Sequence, residues 1–182
     1  MLNTDTALLV VDVQVGAGID GSEPAYQGTA VLDRIGTLIR RARAAGAVVM
    51  YVQHDGGPDD PLQSGTGGWA LHPSLAPQAD EVVVRKCAAN AFHRTPLHRE
   101  LEDRGVRHLV VAGIATDICV DTTCRVAASL GYAVTLVGDA HTTWDHDGLS
   151  AAQIVAHHNA TLPYSGTPDH PIMVASTDTI VF

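Results

Sequence analysis

Charged side chains are scarce in this chain of 182 residues, at 17% against about a quarter in typical domains. Basic residues are the scarcer sign: 11 Lys and Arg stand against 20 Asp and Glu, which gives a formal net charge of -9. No basic run or stripe is available to neutralise phosphates, so neither a nucleic acid nor an anionic membrane surface is expected as a partner. Hydrophobic residues make up 46% of the chain, which excludes intrinsic disorder.

Aromatic residues, long apolar runs and paired cysteines are also lacking. Aromatics are only 4%, so a core of Ala, Val, Leu and Ile is expected. No apolar run approaches the ~20 residues of a membrane span, and the N-terminal segment before Asp12 lacks the basic region of a signal peptide. Three cysteines without a CxxC pair argue against a disulfide framework. We therefore expect a single cytoplasmic domain over residues 1–182.

Short, nearly continuous apolar runs alternate with amphipathic stretches along the chain. Such runs are typical of strands buried on both faces, which are usually parallel. Strands are predicted over residues 7–13, 47–52, 82–84, 108–112, 133–137 and 172–175. Helices are predicted over residues 28–45, from Pro96 to before Gly105, over 117–130, and over 147–161 with Asp147 as its cap. The alternation predicts a three-layer α/β/α sandwich with a mainly parallel, doubly wound, Rossmann-like sheet of about six strands.

Functional residues are expected just after the strands, because ligands of open α/β sheets bind beyond the carboxyl ends of the strands. Residues 54–80 form a long segment rich in Gly and Pro, and such loops in compact domains are usually functional. Gly16, Gly18 and Gly21 spell GxGxxG after the first strand, but no helix begins within the motif. A dinucleotide needs that helix, so no cofactor is expected.

Cys119 follows the predicted strand that ends at Ala112 and precedes a predicted helix. A helix start lowers the pKa of a thiol, which favours a nucleophile, although a free cysteine is often only a small buried apolar residue. Asp12 and Lys86 each end an apolar strand, and each alone fits a salt-bridging residue. Together the three residues supply a nucleophile, a base and a cation for attack on a carbonyl or nitrile carbon.

The ten histidines raise the question of a metal site. His54, Asp55 and His72 form the best trio because all three lie in the glycine-rich loop. Their spacing matches no metal signature, so no metal is predicted, and polar residues that face solvent or substrate are the simpler interpretation. The sequence leaves open whether the trio contacts a metal or the substrate. From the same loop we predict Trp69 and His72 as walls of a substrate pocket, together with Trp144.

Three ordered segments resemble the isochorismatase-like cysteine hydrolase superfamily, and the resemblance covers most of the chain. They are LLVVDVQ, VVVRKCAANAF and VVAGIATDICVDTT. The resemblance implies a triad of Asp12, Lys86 and Cys119, in which the Asp takes the thiol proton and later activates water. It also implies an oxyanion hole from the backbone amides of Ala115 and Cys119, and a cis peptide between Ile114 and Ala115.

The resemblance further implies that Gln14, Phe92 and Thr116 line or shape the substrate pocket, beside His54 of the loop. One segment departs from the family pattern. Nicotinamidases carry an Asp-x-His metal motif after the second strand, which the run from Gln53 to Gly57 does not reproduce. This departure puts both a bound metal and nicotinamide as the substrate in doubt.

We therefore predict a hydrolase that cleaves an amide, carbamoyl or lactam C–N bond of a small molecule, with water as second substrate. Two alternatives stay open: ether hydrolysis of the isochorismatase type, for which Arg85 and Lys86 are the visible cations, and a non-catalytic ligand-binding protein on the same fold. A homodimer or larger homo-oligomer is expected, since low charge and a mean hydropathy of +0.10 leave apolar surface to cover. The sequence leaves open whether a loop of the partner chain closes the pocket.

Overall fold

The computed structural model describes residues 5–182; residues 1–4, part of the segment considered above for a signal peptide, lie outside the described residues. Its centre is one six-stranded sheet in which every neighbouring pair of strands is parallel. The strands are β1 (Thr6–Val11), β2 (Val48–His54), β3 (Val82–Lys86), β4 (His108–Ile114), β5 (Ala133–Thr142) and β6 (Ile172–Ala175). Each of the six predicted apolar runs forms a strand, which confirms the predicted sheet.

The strand order is β3-β2-β1-β4-β5-β6. The chain starts at the centre, builds outward through β2 and β3, and then crosses back to place β4 on the other side of β1. The order therefore reverses between β1 and β4, and this reversal point is where ligands bind in doubly wound sheets. The carboxyl ends of β1 and β4 meet there.

Four helices cover the sheet: α1 (Gly28–Ala45), α2 (Leu97–Glu102), α3 (Asp121–Ser129) and α4 (Ala151–Thr161). Helix α1 buries its apolar stripe against one face of the sheet, with Val31, Ile35 and Leu38 almost inaccessible. Helices α2 and α3 pack on the opposite face, which makes the three predicted layers. No described helix combines the length and the apolar character that a membrane crossing requires.

The segment after β4 differs from the helix predicted over residues 117–130. Residues 116–120 form a π-helical turn, and the regular helix α3 begins only at Asp121. The second helix predicted by the sequence also starts slightly later, at Leu97, whose N–H donates to the Thr95 hydroxyl at 3.3 Å. π-Helical turns such as the one at residues 116–120 occur mostly at functional positions.

The cap predicted for the last helix, Asp147, is wrong. Helix α4 begins after Ser150, whose hydroxyl accepts the N–H of Gln153, while the Gln153 side chain accepts the N–H of Ser150. This reciprocal pair is a capping box, which satisfies two N–H groups that the helix leaves free. Asp147 instead lies in the preceding turn, three residues outside the helix.

We expect Ser150→Ala to lower the free energy of unfolding by about 1 kcal/mol, since the first turn of α4 loses its cap. Asp147→Ala is the matched control and should change it by less than about 0.5 kcal/mol. Urea denaturation followed by circular dichroism measures both. An equal loss in the two variants would contradict this assignment of the helix start.

Candidate active site

The three residues of the predicted triad come from three different strand ends. Asp12 directly follows β1, Lys86 is the last residue of β3, and Cys119 lies in the π-helical turn after β4. The backbone at Asp12 is left-handed, with a φ of 53°, and its N–H donates to Val52 O of the neighbouring strand at 2.9 Å. Since the strands are parallel, all three side chains lie at the same edge of the sheet.

The Lys86 ammonium holds the three groups together. Its Nζ lies 2.5 Å from Asp12 Oδ2, 3.2 Å from Cys119 Sγ and 3.2 Å from His54 Nδ1. The Lys86 side chain is 0% exposed. An ammonium has three N–H groups, so these three acceptors surround it completely. The Asp12 contact is an ion pair without the angles of a regular hydrogen bond, and neither oxygen of Asp12 has such a bond within residues 5–182.

His54 is held in one tautomer by the same contact. Lysine only donates, so Nδ1 of His54 accepts from Lys86 and the ring proton sits on Nε2. Burial, assisted by the positive charge of Lys86, lowers the pKa of His54. The ring is therefore neutral near pH 7. Its Nε2 has no hydrogen-bond partner among the described residues, and His54 lines the cavity described below.

The Cys119 thiol is protonated in the free protein. Burial, followed by the negative charge of Asp12, raises the pKa of Cys119 to about 12, although Lys86 opposes the change. The lowering expected from a helix start is therefore wrong, because Cys119 lies before α3 and is largely buried. Burial also raises the pKa of Asp12, against the lowering effect of the neighbouring Lys86 charge. A carboxylate that faces the thiol and has a raised pKa is a suitable acceptor for its proton.

The turn that carries Cys119 is fixed by a chain of buried hydrogen bonds. The peptide between Ile114 and Ala115 is cis, as the family resemblance implied. The next residue, Thr116, places its hydroxyl 2.8 Å from Nδ1 of His141, and Nε2 of His141 lies 2.9 Å from Asn159 Oδ1. Asn159 donates its N–H to Gly138 O, which sets the direction of the whole chain. Thr116 therefore donates to His141, and His141 donates to Asn159.

A cavity of about 350 Å³ opens beside the thiol. Asp12, Cys119 and Ala115 are among the residues that line it. Its other walls are mostly apolar: Ala17, Pro61, Leu62, Ala89, Ile114, Ile118 and Trp144, with Gly16, His54 and Asp60. Trp144, predicted as a wall, lines the cavity. Leu62 and Ile118 were not predicted.

The loop after β2 is tied down over this cavity by side chains from the sheet. Gln14 donates to His54 O at 3.0 Å and to Trp69 O at 2.9 Å. Asp55 accepts the indole N–H of Trp69 at 2.8 Å and pairs with Arg85, whose guanidinium lies over the Trp69 ring. Gln14 and Trp69 are therefore placed to hold the loop, behind the residues that face the cavity.

The other residues predicted for substrate binding also lie outside the walls of this cavity. His72 bonds Ser74 and Asp20, while Phe92 stacks on Tyr132. Thr116 is buried against His141. Their contact with a substrate remains a prediction. His54, Asp55 and His72 point to different partners, and within residues 5–182 no three His, Cys, Asp or Glu side chains are arranged to hold a metal ion.

One glycine of the GxGxxG motif, Gly16, has a steric role, as has Gly68 of the loop. A Cβ on Gly16 would collide with the carbonyl of Pro61, and so would a Cβ on Gly68. The N–H of Gly16 donates to Gly68 O at 2.7 Å. The glycines thus allow the loop to pack closely on the segment after β1. His141 lies within residues 139–143, a strand end at which the sequence predicts functional residues, but its pairing with Asn159 was missed, because no motif marks a polar contact between β5 and α4.

Comparison with known proteins decides the family. The family model described as Isochorismatase domain matches residues 6–163. This chain belongs to the isochorismatase family. Among solved structures, an isochorismatase from Pseudomonas putida KT2440 is 30% identical with a TM-score of 0.87, and the match covers 98% of this chain and 91% of that one. A cysteine hydrolase from Pseudomonas syringae pv. phaseolicola is 28% identical with a TM-score of 0.85, over 96% and 90% of the two chains.

Curated relatives of this isochorismatase-family chain include enzymes named as hydrolases. Streptothricin hydrolase of Streptomyces noursei is 44% identical over 139 residues, which are 76% of this chain and 50% of that protein. The ureidoacrylate amidohydrolase RutB of Klebsiella pneumoniae is 33% identical, with 74% of this chain and 72% of that protein covered. The chain spans about half the length of the streptothricin hydrolases that it matches.

The buried His141 makes a prediction about stability. Burial lowers its pKa to about 4 from an ordinary 6.5, so the unfolded chain binds this proton at a higher pH than the folded one. The lowered pKa of His141 contributes at most about 3 kcal/mol to the free energy of unfolding. This contribution is fully present above pH 6.5 and is lost as the pH falls towards 4. We expect His141→Asn to flatten the decline of the unfolding free energy between pH 7 and pH 4.5, measured by urea denaturation. His93→Asn, on the surface, should keep the wild-type slope. A wild-type slope in His141→Asn would contradict the assignment.

Proposed function

We propose that this chain is a cysteine-dependent amidohydrolase that cleaves a non-peptide C–N bond of a small molecule with water. The observation that carries the proposal is the buried Lys86 ammonium, which contacts both Asp12 and Cys119 beside a cavity that these two residues line. The hydrolase names of the two curated relatives support it. The amide, carbamoyl and lactam classes fit the same chemistry, because each offers a carbonyl carbon bonded to nitrogen.

In the first half-reaction, Sγ of Cys119 attacks the carbonyl carbon while its proton passes to Asp12. The negative charge that forms on the carbonyl oxygen is received by the backbone N–H groups of Ala115 and Cys119. The C–N bond then breaks, and Asp12 returns the proton to the leaving nitrogen. A thioester on Cys119 and a free amine or ammonia result.

In the second half-reaction, water attacks the thioester carbon and Asp12 takes the water proton. The C–S bond breaks, the sulfur regains the proton from Asp12, and the acid product leaves. Lys86 stays charged throughout and stabilises whichever of its two partners is negative, since it contacts both. A free thiolate is not populated at neutral pH, because the pKa of Cys119 is about 12, so proton transfer accompanies attack.

The second candidate, ether hydrolysis of a chorismate-derived acid, has no support in the cavity. Such a substrate carries carboxylates, and among the described residues no Arg or Lys lines the cavity. Arg85 is engaged by Asp55 and Ser64.

Oligomer formation remains part of the proposal. The exposed apolar side chains of Leu149, Met173 and Tyr164 support it, because a partner subunit would cover apolar surface of this kind.

We expect Cys119→Ala to remove turnover of amide substrates and the covalent adduct, with at least about a thousandfold loss of kcat, because no nucleophile remains. Ammonia release measures turnover of primary amides and carbamoyl compounds, mass spectrometry of the ring-opened amino acid measures turnover of lactams, and intact-protein mass spectrometry measures the adduct. The matched control is Cys87→Ala, since Cys87 is exposed and outside the cavity. Wild-type turnover in Cys119→Ala would overturn the proposal.

The pH profile follows from Asp12. Turnover needs this carboxylate ionised, and burial raises its pKa above the ordinary 3.8. We therefore expect kcat/KM to fall on the acid side with an apparent pKa above 3.8, in contrast to an ordinary carboxylate. Initial rates between pH 4 and pH 9 test this, with circular dichroism at each pH to confirm that the protein stays folded. Full activity in folded protein down to pH 4 would contradict the role of Asp12.

A further inference from the structure

We infer that the cavity selects substrates that place a positively charged or neutral group beside Asp60, and that Asp60 makes this selection. The inference rests on the proposed function, because it describes the substrate of the same site. It follows from the charges on the cavity walls, from the contacts that hold Asp60, and from the pairing of Arg85 and Lys86 with other residues.

The cavity walls carry one uncompensated charge. Asp12 and Asp60 are the acidic residues that line the cavity, and no Arg or Lys among the described residues lines it. Asp12 is balanced by the ion pair with Lys86. His54 is neutral, since burial and Lys86 lower its pKa. Asp60 therefore leaves the cavity wall with a net negative charge.

Asp60 is fixed by contacts that leave its charge available. Its Oδ1 accepts the N–H of Leu62 at 2.7 Å, and its backbone N–H donates to Gly57 O at 3.2 Å. The side chain packs so closely on Gly56 that a Cβ there would collide with it. Within residues 5–182, no Lys, Arg or His lies within ion-pair distance of Asp60.

The two cations at the end of β3, next to the strand that leads into this loop, are already engaged. Lys86 is fully buried behind the cavity and surrounded by three acceptors. Arg85 pairs with Asp55, donates to Ser64 and lies over the Trp69 ring. A carboxylate on the substrate would meet Asp60 without a cation to receive it, whereas an ammonium would find Asp60 unpaired. The formal net charge of -9 acts in the same direction at longer range.

The remaining walls indicate the chemical character of the rest of the substrate. Pro61, Leu62, Ile118 and Trp144 provide apolar contacts beside the thiol. The substrate class that fits is therefore an amide, carbamoyl compound or lactam with an apolar body and an amine or neutral group at the Asp60 end. Asp60 is exposed, so its effect is moderate, about two- to fivefold per charge.

The test compares three 2-chloroacetamides that differ only at the end of the same short alkyl chain: an ammonium, a methyl or a carboxylate. Sγ of Cys119 displaces chloride, so an S–C bond forms, a C–Cl bond breaks, and the thiol proton leaves. Peptide mass spectrometry measures the alkylation rate of Cys119. The exposed Cys87 reports the intrinsic reactivity of each probe in the same sample, and the ratio of the two rates is the readout.

We expect the ratio to fall in the order ammonium, methyl, carboxylate, with about a tenfold span at low salt. Asp60→Asn keeps the oxygen that accepts from Leu62 and should shrink this span by about two- to fivefold. Asp60→Lys should reverse the order. The matched control, Asp59→Asn, removes a neighbouring charge outside the cavity and should keep the wild-type span.

Equal ratios for the three probes in the wild type would overturn the inference. So would an equal effect of Asp59→Asn and Asp60→Asn, because the general surface charge would then account for the selection. The proposed function fails separately: if the probes follow the expected order but no cationic or neutral amide releases ammonia, charge selection stands and hydrolysis does not. If amides are hydrolysed without regard to charge, hydrolysis stands and the role of Asp60 does not.

Discussion

The buried ammonium of Lys86 is the interaction on which the site depends. It brings together residues from the ends of β1, β2, β3 and β4, because it pairs with Asp12 and contacts both His54 and Cys119. A buried charge is tolerated only when it is paired and bonded in this way. Removing the Asp12 carboxylate, for example, would leave the buried Lys86 ammonium without a counter-charge. The arrangement therefore couples the ionisation of Asp12, the tautomer of His54 and the environment of the Cys119 thiol.

Much of the fold could be predicted from the sequence, because parallel strands buried on both faces leave continuous apolar runs. The six runs form the six strands, and the strand ends locate the triad residues. The first turn after β4 could not be predicted as a π-helical turn, since its residues are compatible with an ordinary helix start. The last helix start was misplaced because Asp147 and Ser150 are both good caps, and only the position of Gln153 distinguishes them.

The sequence predicted the three triad residues, but it predicted less of their surroundings. Family resemblance marks Asp12, Lys86 and Cys119, yet the pKa of the thiol depends on burial, which a local sequence pattern does not report. Gln14 and Trp69 were expected to line the pocket but hold the loop behind it. Asp60 was missed because one acidic residue in a polar loop has no distinguishing pattern. Its significance comes from what surrounds it: an apolar wall and engaged cations.

The neutral state of the thiol has a consequence for how such a site can change over generations. Loss of Lys86 or of Asp12 alone strands an opposite charge in the interior, so each first step carries a penalty in folding. Cys119 bears no charge in the free protein, and its loss strands nothing. Descendants that abandon catalysis are therefore expected to lose the cysteine first and to retain Asp12 and Lys86 as a buried ion pair that stabilises the fold. An Asp–Lys pair without its cysteine would then be the trace of a relative that has lost the covalent step.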